Sequence, residues 1–550
     1  MKKSIVLLLE LCLLSAACVK VDNSLGKGLV DKSLLFNTYS EEFPLEQTKL
    51  KMSEDLSGYS DTRITIGAIR DEKFGLTTRA SAFTLIPALD SLDLGDNPKA
   101  ISFDLYFEAD TISCAYDSQS QILQNILVYE LTEPLPMYET SATQVIPHGS
   151  KKVTKGTPVY DGSGALDFNF STEFAQKYLD KIKQIGPVFR RANADSTELS
   201  NSFKAYVKEL PGIYIKTDEP QGFGGRINMF DLACLSVSNN YYYRNNNVGL
   251  LKFNSTWNGV QKDSTIMFIP GEMAFVDEST YLTNNTKFSQ YCFNRTTHST
   301  DDVDNPTTEL LVEGGTGLKP VISAKELRDK TIAAIRKNGG DPDKAIIVKA
   351  SIILPYVKPE DYMDMKYFPT ILSPTIRKEN YSTSLPDKVI VSYAGLTDAS
   401  ISSEDQGTID RSNMMYSPDI TYHLQELLKR TDLDTEDNAD IWLLTIHINK
   451  IANANGSLYD NSYYQNLLYA SYYNSLYGGG YGYGSGSYGY NNYSNYYNYM
   501  MLAQMMAASE QQTYSYTQEL DKDRYYKAVL GGPTSKLKPS FQVTYALPEK

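Results

Sequence analysis

Several kinds of residue are scarce in this sequence, and cysteine is the first of them. The chain of 550 residues has five cysteines, of which Cys12 and Cys18 belong to an N-terminal export signal. Three remain for the folded part, Cys114, Cys234 and Cys292, and an odd number excludes a complete disulfide framework. The favoured interpretation is that all three are free, buried thiols. The alternative is one disulfide between Cys234 and Cys292.

The motifs of metal sites and of common enzymes are also absent. The four histidines are His148, His298, His423 and His447. None belongs to a His-Glu-x-x-His motif or lies near a Cys-x-x-Cys pair. The acidic run 432–440 lacks the sixth-position glycine and the twelfth-position glutamate of a calcium loop. We therefore predict no metal, no cofactor and no catalytic residue.

Phosphate-binding loops and nucleophile elbows are missing as well. The glycine-rich stretches 222–225 and 314–317 lack the Gly-Lys-Ser/Thr ending of a phosphate-binding loop, and we predict that both are turns. No Gly-x-Ser-x-Gly sequence occurs. The sequence therefore gives no support to catalysis, although a carboxylate pair among 66 acidic residues is not recognisable without geometry.

Positive charge is in deficit. With 52 Lys and Arg against 66 Asp and Glu, the formal net charge is -14 at pH 7. Such an excess of negative charge repels nucleic acid, so we predict no nucleic-acid partner. Hydrophobic residues make up 41% of the chain, which is enough for buried cores.

Charge of either sign is absent from residues 461–509, where Tyr, Gly, Asn and Ser dominate. This composition does not specify a packed core, so we predict a long low-complexity loop over 459–516. Tyrosine gives a large contact area at low entropic cost and methionine repacks around partners, which favours a docking role over an idle insertion. The candidate partner-binding residues are Tyr477, Tyr481, Tyr483, Tyr488, Tyr490, Met500, Met501, Met505 and Met506.

The N-terminus has the three parts of an export signal. Lys2 and Lys3 precede an apolar stretch, 5–14, that is too short to span a bilayer. Residues 15–18, Ser-Ala-Ala-Cys, resemble a bacterial lipoprotein box, which implies lipidation of Cys18. A plain cleaved signal is the alternative. Residues 19–22 resemble a surface-export tag, so we expect the outer membrane, with the cell surface favoured over the periplasmic face.

Alternating apolar residues predict β-strands. Ile101, Phe103, Leu105 and Phe107 alternate with polar residues, and so do the residues of 346–354. Short helices are predicted after Ser171, after Ser323 and over 418–430. We therefore predict a mainly β protein of two tandem β-sandwich domains, similar to jelly rolls or carbohydrate-binding modules, with a few short helices.

The predicted domain organisation has five parts. They are a lipoprotein signal peptide at 1–17, a tether at 18–63, a first sandwich at 64–300, a linker at 301–316, and a second sandwich at 317–550 that contains the low-complexity loop. The boundary is placed at the charged, proline-bearing stretch that follows Asp301.

Several phrases together resemble the DUF4270 family of Bacteroidetes envelope lipoproteins. They are Ile66-Gly67, Asp71 to Thr77, Leu210 to Ile215, Glu313 to Gly317, Val529 to Gly531 and Phe541 to Tyr545. The similarity covers most of residues 60–547. The resemblance implies an envelope lipoprotein and implies no chemistry, because the family has no assigned function.

Three functions are compatible with these features. The favoured one is a non-catalytic outer-membrane lipoprotein that acts as a structural or accessory subunit of an envelope protein complex and docks through the low-complexity loop. The second is a cell-surface glycan-binding lipoprotein in which Trp257, Trp442 and exposed tyrosines stack on sugar rings. The third is a hydrolase with an unrecognised carboxylate pair.

The lipoprotein interpretation generates a direct prediction. We expect Cys18→Ala to move the protein from the membrane fraction to the soluble fraction, because a diacyl anchor is the attachment that the sequence offers. Fractionation and immunoblotting measure this, with Cys114→Ala as the matched control that stays membrane-bound. Retention of the Cys18 variant in washed membranes would contradict the prediction.

Overall fold

In a computed structural model of the chain, most described residues lie in β-strands, as predicted. The described residues are 35–87, 93–110, 114–115, 119–136, 140–185, 204–232, 235–238, 241–244, 247–275, 286–289, 292–381, 389–396, 407–430, 433, 439–452 and 514–549. The chain divides into two compact units, one of residues 1–444 and 522–550 and the other of residues 445–521.

Strands occur along the whole described length of the chain. Those before residue 300 are β1 Phe36–Pro44, β2 Thr48–Met52, β3 Tyr59–Ser60, β4 Arg63–Asp71, β5 Gly75–Phe83, β6 Leu85–Pro87, β7 Asp96–Phe107, β8 Cys114–Ala115, β9 Gln124–Leu131, β10 His148–Lys152, β11 Val159–Tyr160, β12 Leu166–Asn169, β13 Ile213–Thr217, β14 Gly224–Asp231, β15 Leu235–Ser238, β16 Tyr241–Arg244, β17 Val248–Trp257, β18 Val260–Pro270, β19 Glu272–Phe275, β20 Thr286–Ser289 and β21 Cys292–His298. Those after residue 300 are β22 Glu309–Glu313, β23 Leu318–Ile322, β24 Ile346–Pro355, β25 Ile371–Tyr381, β26 Val389–Gly395, β27 Ile409–Asp410, β28 Met415–Tyr416, β29 Ile441–Ala452, β30 Tyr514–Leu520, β31 Lys527–Gly531 and β32 Ser540–Pro548.

Short helices interrupt the strands near the predicted positions. They are α1 Thr172–Ile185, α2 Ala324–Lys337 and α3 Thr421–Leu427, with 3₁₀ turns at Gln119–Gln121, Pro342–Lys344 and Tyr362–Tyr367. Helix α2 begins after Ser323, whose side chain accepts a hydrogen bond from the amide of Glu326. Helix α3 is shorter than the predicted 418–430.

Four larger sheets organise the described strands, and their described pairings are antiparallel. Their strand orders are β1-β32-β24-β28-β27, β10-β9-β13-β5-β4-β14-β8 with β3, β11 and β21 attached, β12-β7-β17-β18-β6, and β2-β23-β29-β25-β26 with β30 attached to β29. Two main apolar cores accompany them, one from residues between 64 and 292 and the other from residues between 45 and 547. The division into two tandem sandwich domains stays a prediction.

The first core shows how alternation builds this fold. Phe83 comes from the sheet that contains β5, Phe103 from the sheet that contains β7, and Tyr178 from α1, and all three are fully buried. Two sheets that bury their apolar faces against each other are the basic arrangement of a sandwich. The opposite face of the β7 sheet, called its open face below, carries partly buried side chains such as those of Asp104 and Tyr106.

The predicted tether at 18–63 is wrong from residue 36 onward. Strand β1 pairs along its whole length with β32, from Phe36 opposite Pro548 to Pro44 opposite Ser540. Strand β2 pairs with β23. The physical reason lies in Glu326, whose carboxylate accepts hydrogen bonds from the amides of Glu46 and Gln47 at 2.8 and 3.0 Å and thereby fixes the turn between the two strands.

The predicted linker at 301–316 is wrong as well. Residues 309–313 form β22, which pairs with β31 in five consecutive positions. Glu313 and Thr316 are 2% and 1% exposed. The glycines and the charge of this segment suggested a solvated linker. They belong instead to a buried polar cluster, in which each charged group has partners inside the protein.

The alternation predicted for β7 fails at one residue. Ser102 is opposite Lys252 and Ala100 is opposite Phe253, so Ile101 is an extra residue in β7 and forms a bulge. Because side chains alternate along a strand, the extra residue inverts the pattern. Ile101 is therefore 52% exposed, whereas Phe103 is fully buried.

Strand β24 repeats this deviation in the second half. Ile347 is opposite Tyr545 and Lys349 is opposite Thr544, which leaves Val348 as the bulged residue. Ile346 and Val348 are 48% and 54% exposed, while Ile352 is buried as predicted. Each half of the sequence thus contains one long strand with a bulge. On one side of the bulge the alternation places the apolar residues in the core correctly, and on the other side it places exposed residues there.

The bulge in β7 makes a testable contrast between two residues of one predicted face. We expect Phe103→Ala to reduce the free energy of unfolding by about 3–5 kcal/mol, because it leaves a cavity in the core. We expect Ile101→Ala to change it by less than about 0.5 kcal/mol, since the side chain already contacts water. Urea titration of both variants measures the contrast. Equal losses would show that Ile101 is a core residue.

Candidate functional site

The residues predicted to carry lipid and partner contacts lie outside the described residues. Cys18 precedes residue 35, and the nine tyrosine and methionine positions between 477 and 506 lie between the ends of β29 and β30. Lipidation and docking therefore stay predictions. In the described part of the chain, no helix is long and apolar enough to cross a membrane.

The two tryptophans that are predicted to stack on sugar rings lie in different sheets. Trp257 lies in β17 and packs against Phe253, with 6.0 Å between ring centroids. Trp442 lies in β29, within a different sheet, and packs edge-on against Tyr393 at 5.5 Å. Stacking of a sugar ring on Trp257 or on Trp442 stays a prediction.

Cys292 is a free, buried thiol, as the favoured interpretation predicts. Its Sγ donates to the carbonyl oxygen of Arg63 at 3.1 Å. Burial raises the pKa of this thiol well above its ordinary value. Cys234, the partner in the alternative disulfide, lies outside the described residues. Burial and the raised pKa make Cys292 an inert thiol with a structural role.

A buried ionic cluster occupies the glycine-rich turn after β22. The Glu313 carboxylate accepts hydrogen bonds from His298 Nδ1 at 3.2 Å, from Thr300 Oγ1 at 2.5 Å and from the amide of Leu318 at 3.2 Å. Burial would raise the pKa of Glu313, but these bonds and the neighbouring His298 outweigh it and hold the pKa below its ordinary value.

Lys319 is the second charged member of this cluster and is 0% exposed. Its Nζ donates to the carbonyl oxygens of Glu313, Gly315 and Gly317 at 2.6, 2.9 and 2.9 Å. Burial lowers the pKa of Lys319 to about 7, and the Glu313 carboxylate opposes this shift. Three hydrogen bonds to carbonyls require three N–H donors, so this geometry belongs to the ammonium form.

The glycine-rich stretch 314–317 is a turn, as predicted, and its carbonyls face a lysine. The turn predicted at 222–225 is wrong at Gly224 and Gly225, which begin β14 and pair with β4. Gly315 has a φ of 56°, in the left-handed region that favours glycine. A Cβ at that position would lie 2.6 Å from the Arg79 guanidinium. The turn therefore wraps closely around two cationic side chains, an arrangement unlike a phosphate cradle, in which amides point inward.

This cluster has partners for its charges and little room for a substrate. Arg79 donates to Thr296 Oγ1 and to the carbonyl oxygen of Lys522. The cavity beside Arg79, lined also by Asn294 and Thr316, has a volume of about 10 Å³, enough for roughly one water molecule. We interpret the cluster as structural.

His148 and His423 fit structural roles as well. His148 stacks between Tyr129 and Tyr214, with centroid distances of 4.9 and 4.5 Å. Burial lowers the pKa of His423 to about 4. Among the residues that the structure describes, no group of three or more His, Cys, Asp and Glu side chains is placed to hold a metal ion.

The open face of the β12-β7-β17 sheet contains the other cavity of interest, a groove of about 700 Å³. It is lined by Ser102, Asp104, Tyr106, Asp167, Asn169, Val248 and Leu250. The inward residues of β7, such as Phe103 and Leu105, fill the core on the other side. Sequence alternation alone identified this face as polar, but it gave no reason to expect a concave surface.

Strand register arranges the groove in rows. Asn169 is opposite Asp104, which is opposite Leu250 on the next strand. Asp167 is opposite Tyr106 in the adjacent row. Ser102 Oγ donates to Asp104 Oδ2 at 3.1 Å. Cross-strand and diagonal neighbours on one face lie within side-chain reach, so one ligand can contact both rows.

The carboxylates of the groove are free of described counter-ions. Within the residues that the structure describes, neither Asp104 nor Asp167 forms a salt bridge, although Lys252 lies on the same face, opposite Ser102. The groove therefore presents hydrogen-bonding groups beside an aromatic ring and the partly exposed side chain of Leu250, a combination typical of ligand-binding pockets. Val248 is only 2% exposed and belongs to the core.

Comparison of the chain with protein-family models, with curated proteins and with solved structures finds no match.

The buried cluster predicts how stability depends on pH. Burial lowers the pKa of His298 below 6.5, and the pKa of Glu313 lies below 4.5. In both cases the unfolded state takes up the proton first as pH falls, so we expect the free energy of unfolding to decrease from pH 6.5 downward, and more steeply below 4.5. Urea titrations at a series of pH values measure this. An increase in stability toward acid would contradict it.

Variants on one strand isolate the Glu313 contribution. We expect Glu313→Gln to lower the free energy of unfolding at pH 7 by roughly 3 kcal/mol, because it removes the charge that compensates buried Lys319. Glu309→Gln is the matched control on β22, since Glu309 pairs with Lys73 at the surface and such pairs contribute roughly 0–1 kcal/mol. Equal losses in both variants would show that the buried carboxylate has no special role.

Proposed function

We propose that this protein is a non-catalytic outer-membrane lipoprotein that serves as a structural or accessory subunit of an envelope protein complex. In this proposal, Cys18 carries the lipid anchor and the low-complexity loop 459–516 docks to an outer-membrane protein. The resemblance to the DUF4270 family supports the envelope location and adds no activity.

The observation that carries the docking proposal is the stem of the loop. Strands β29 and β30 pair in antiparallel register from Ile446 opposite Leu520 to Ala452 opposite Tyr514. Residues 453–513 connect these two strands. The predicted end of the loop at 516 is therefore wrong, because residues 514–516 belong to β30 and pair with β29. The remaining loop starts and ends at one pair of strands. Residues 445–521 also form a compact unit of their own. A segment attached in this way is presented from a defined base and is available to a partner.

The position of the anchor relative to the fold supports tethering at a surface. The described fold begins at Leu35, and β1 begins at Phe36. Seventeen residues, 19–35, therefore separate Cys18 from β1, and such a length spans at most roughly 60 Å when extended. This length allows the folded part to act close to the membrane. The cell surface is the proposed face.

Deletion of the loop tests the docking proposal. We expect replacement of residues 461–509 by a short Gly-Ser connection to leave the melting temperature within a few degrees, because loop closure depends only weakly on length. We expect co-purification of the outer-membrane partner to be lost. Mass spectrometry of detergent-solubilised complexes measures the partner, and differential scanning calorimetry measures the fold.

A matched pair of substitutions separates tyrosine contacts from loop length. Changing Tyr477, Tyr481, Tyr483, Tyr488 and Tyr490 to Ser should release the partner, whereas changing five asparagines of the same loop to Ser should not. Full recovery of every partner by the tyrosine variant would refute docking through these residues. Collapse of the melting temperature on deletion would instead identify the loop as part of a core.

A further inference from the structure

We propose that the groove on the open face of the β12-β7-β17 sheet binds a neutral polysaccharide. The inference is independent of the proposed docking function, because it concerns other residues in the other compact unit. It rests on the shape of the groove, on the arrangement of hydrogen-bonding and apolar side chains within it, and on its charge.

The shape favours an extended ligand. The groove has a volume of about 700 Å³ and lies across three strands of an open sheet face. An open groove admits the interior of a chain, whereas an enclosed pocket admits only a small molecule or a chain end. The volume is in the range of ligand-binding sites, which is about 300–1,000 Å³.

The polar side chains match the hydroxyl groups of sugars. Asp104 and Asp167 offer carboxylate oxygens as acceptors, and Asn169, opposite Asp104, offers both a donor and an acceptor. Neighbouring hydroxyls of a sugar ring donate and accept within a few ångströms of each other. Because β12 and β7 place these three groups in adjacent rows, one sugar unit can bond to more than one of them.

The apolar side chains match the C–H faces of sugar rings. Tyr106 lies between Asp167 and Val248 in one row, and Leu250 follows Asp104 in the next. Tyr106 and Leu250 are half-buried, so part of each side chain remains accessible. A ligand with polar edges and apolar faces can satisfy both sets of groups together, which a purely apolar or purely ionic ligand cannot do.

Charge argues against an acidic ligand. Two carboxylates in the groove and a formal net charge of -14 repel acidic polymers. Lys252, on the same face opposite Ser102, offsets only part of this negative charge, so a polycation is the competing ligand that the test includes. A neutral polysaccharide avoids the repulsion and uses the apolar side chains of the groove as well as its hydrogen-bonding groups, and we therefore favour it.

Native affinity electrophoresis of the full chain tests this inference. The gels contain α-glucan, β-glucan, mannan or xylan, and calorimetry then gives the Kd for the polymer that retards the protein. We expect retardation by at least one of these, with Kd weakened roughly tenfold or more by Asp104→Asn and by Tyr106→Ala, each of which removes one contact. Tyr106→Phe keeps the ring and should retain most of the affinity.

Two matched controls lie outside the groove. Asp263 is an exposed carboxylate of β18 in the same sheet and accepts a hydrogen bond from Asn254 at 2.6 Å. Tyr362 is an exposed tyrosine, 63% accessible, in a distant 3₁₀ turn. Asp263→Asn and Tyr362→Ala should bind as the wild type does. Melting temperatures of all variants show that they are folded.

Three results would overturn the inference. They are the absence of retardation by all four polymers, equal affinity of the Asp104 and Tyr106 variants and the wild type, and binding of a polylysine peptide that weakens with salt while neutral polymers fail. Release of reducing ends from a bound polymer would leave the binding site intact but would contradict the proposed non-catalytic function. The two proposals can therefore fail separately.

Discussion

The buried carboxylate of Glu313 is the constraint on which the joining of the two halves of the sequence depends. It accepts hydrogen bonds from His298, at the end of β21, and from Leu318, at the start of β23. The ammonium of Lys319 sits beside it and holds three carbonyls of the same turn. Removing charges from water is costly, so this cluster is stable only when every member is in place. The halves consequently meet through a specific polar junction.

The polar residues at this junction and those in the groove differ in where their hydrogen bonds go. At the junction, charges face one another and are satisfied within the protein, which fixes geometry. On the outer face of β7, Asp104 and its neighbours keep their hydrogen-bonding capacity toward solvent. The uncharged stretch 461–509 lies in the sequence between β29 and β30, which pair with each other.

The sequence predicted the mainly β class and three helix positions because alternation and capping are local signals. Prediction from the sequence failed where a residue far away in the chain determines which way a side chain faces or what it contacts. The bulges at Ile101 and Val348 become visible only against β17 and β32, since one extra residue has no signature within its own strand. The spacing of Ser323 and Glu326 predicts that Glu326 caps α2, yet its carboxylate accepts hydrogen bonds from the turn after β1. His298 and the groove required tertiary structure for the same reason.

The pairing of β1 with β32 places the two ends of the described fold side by side. The amide of Glu549 donates to the carbonyl oxygen of Leu35 at 2.7 Å. The two ends of the described fold are therefore adjacent, and a short peptide could join them without crossing the molecule. Circular permutation is compatible with such a layout. New ends placed between β29 and β30 would preserve every described strand pairing and would convert the low-complexity loop into two free tails.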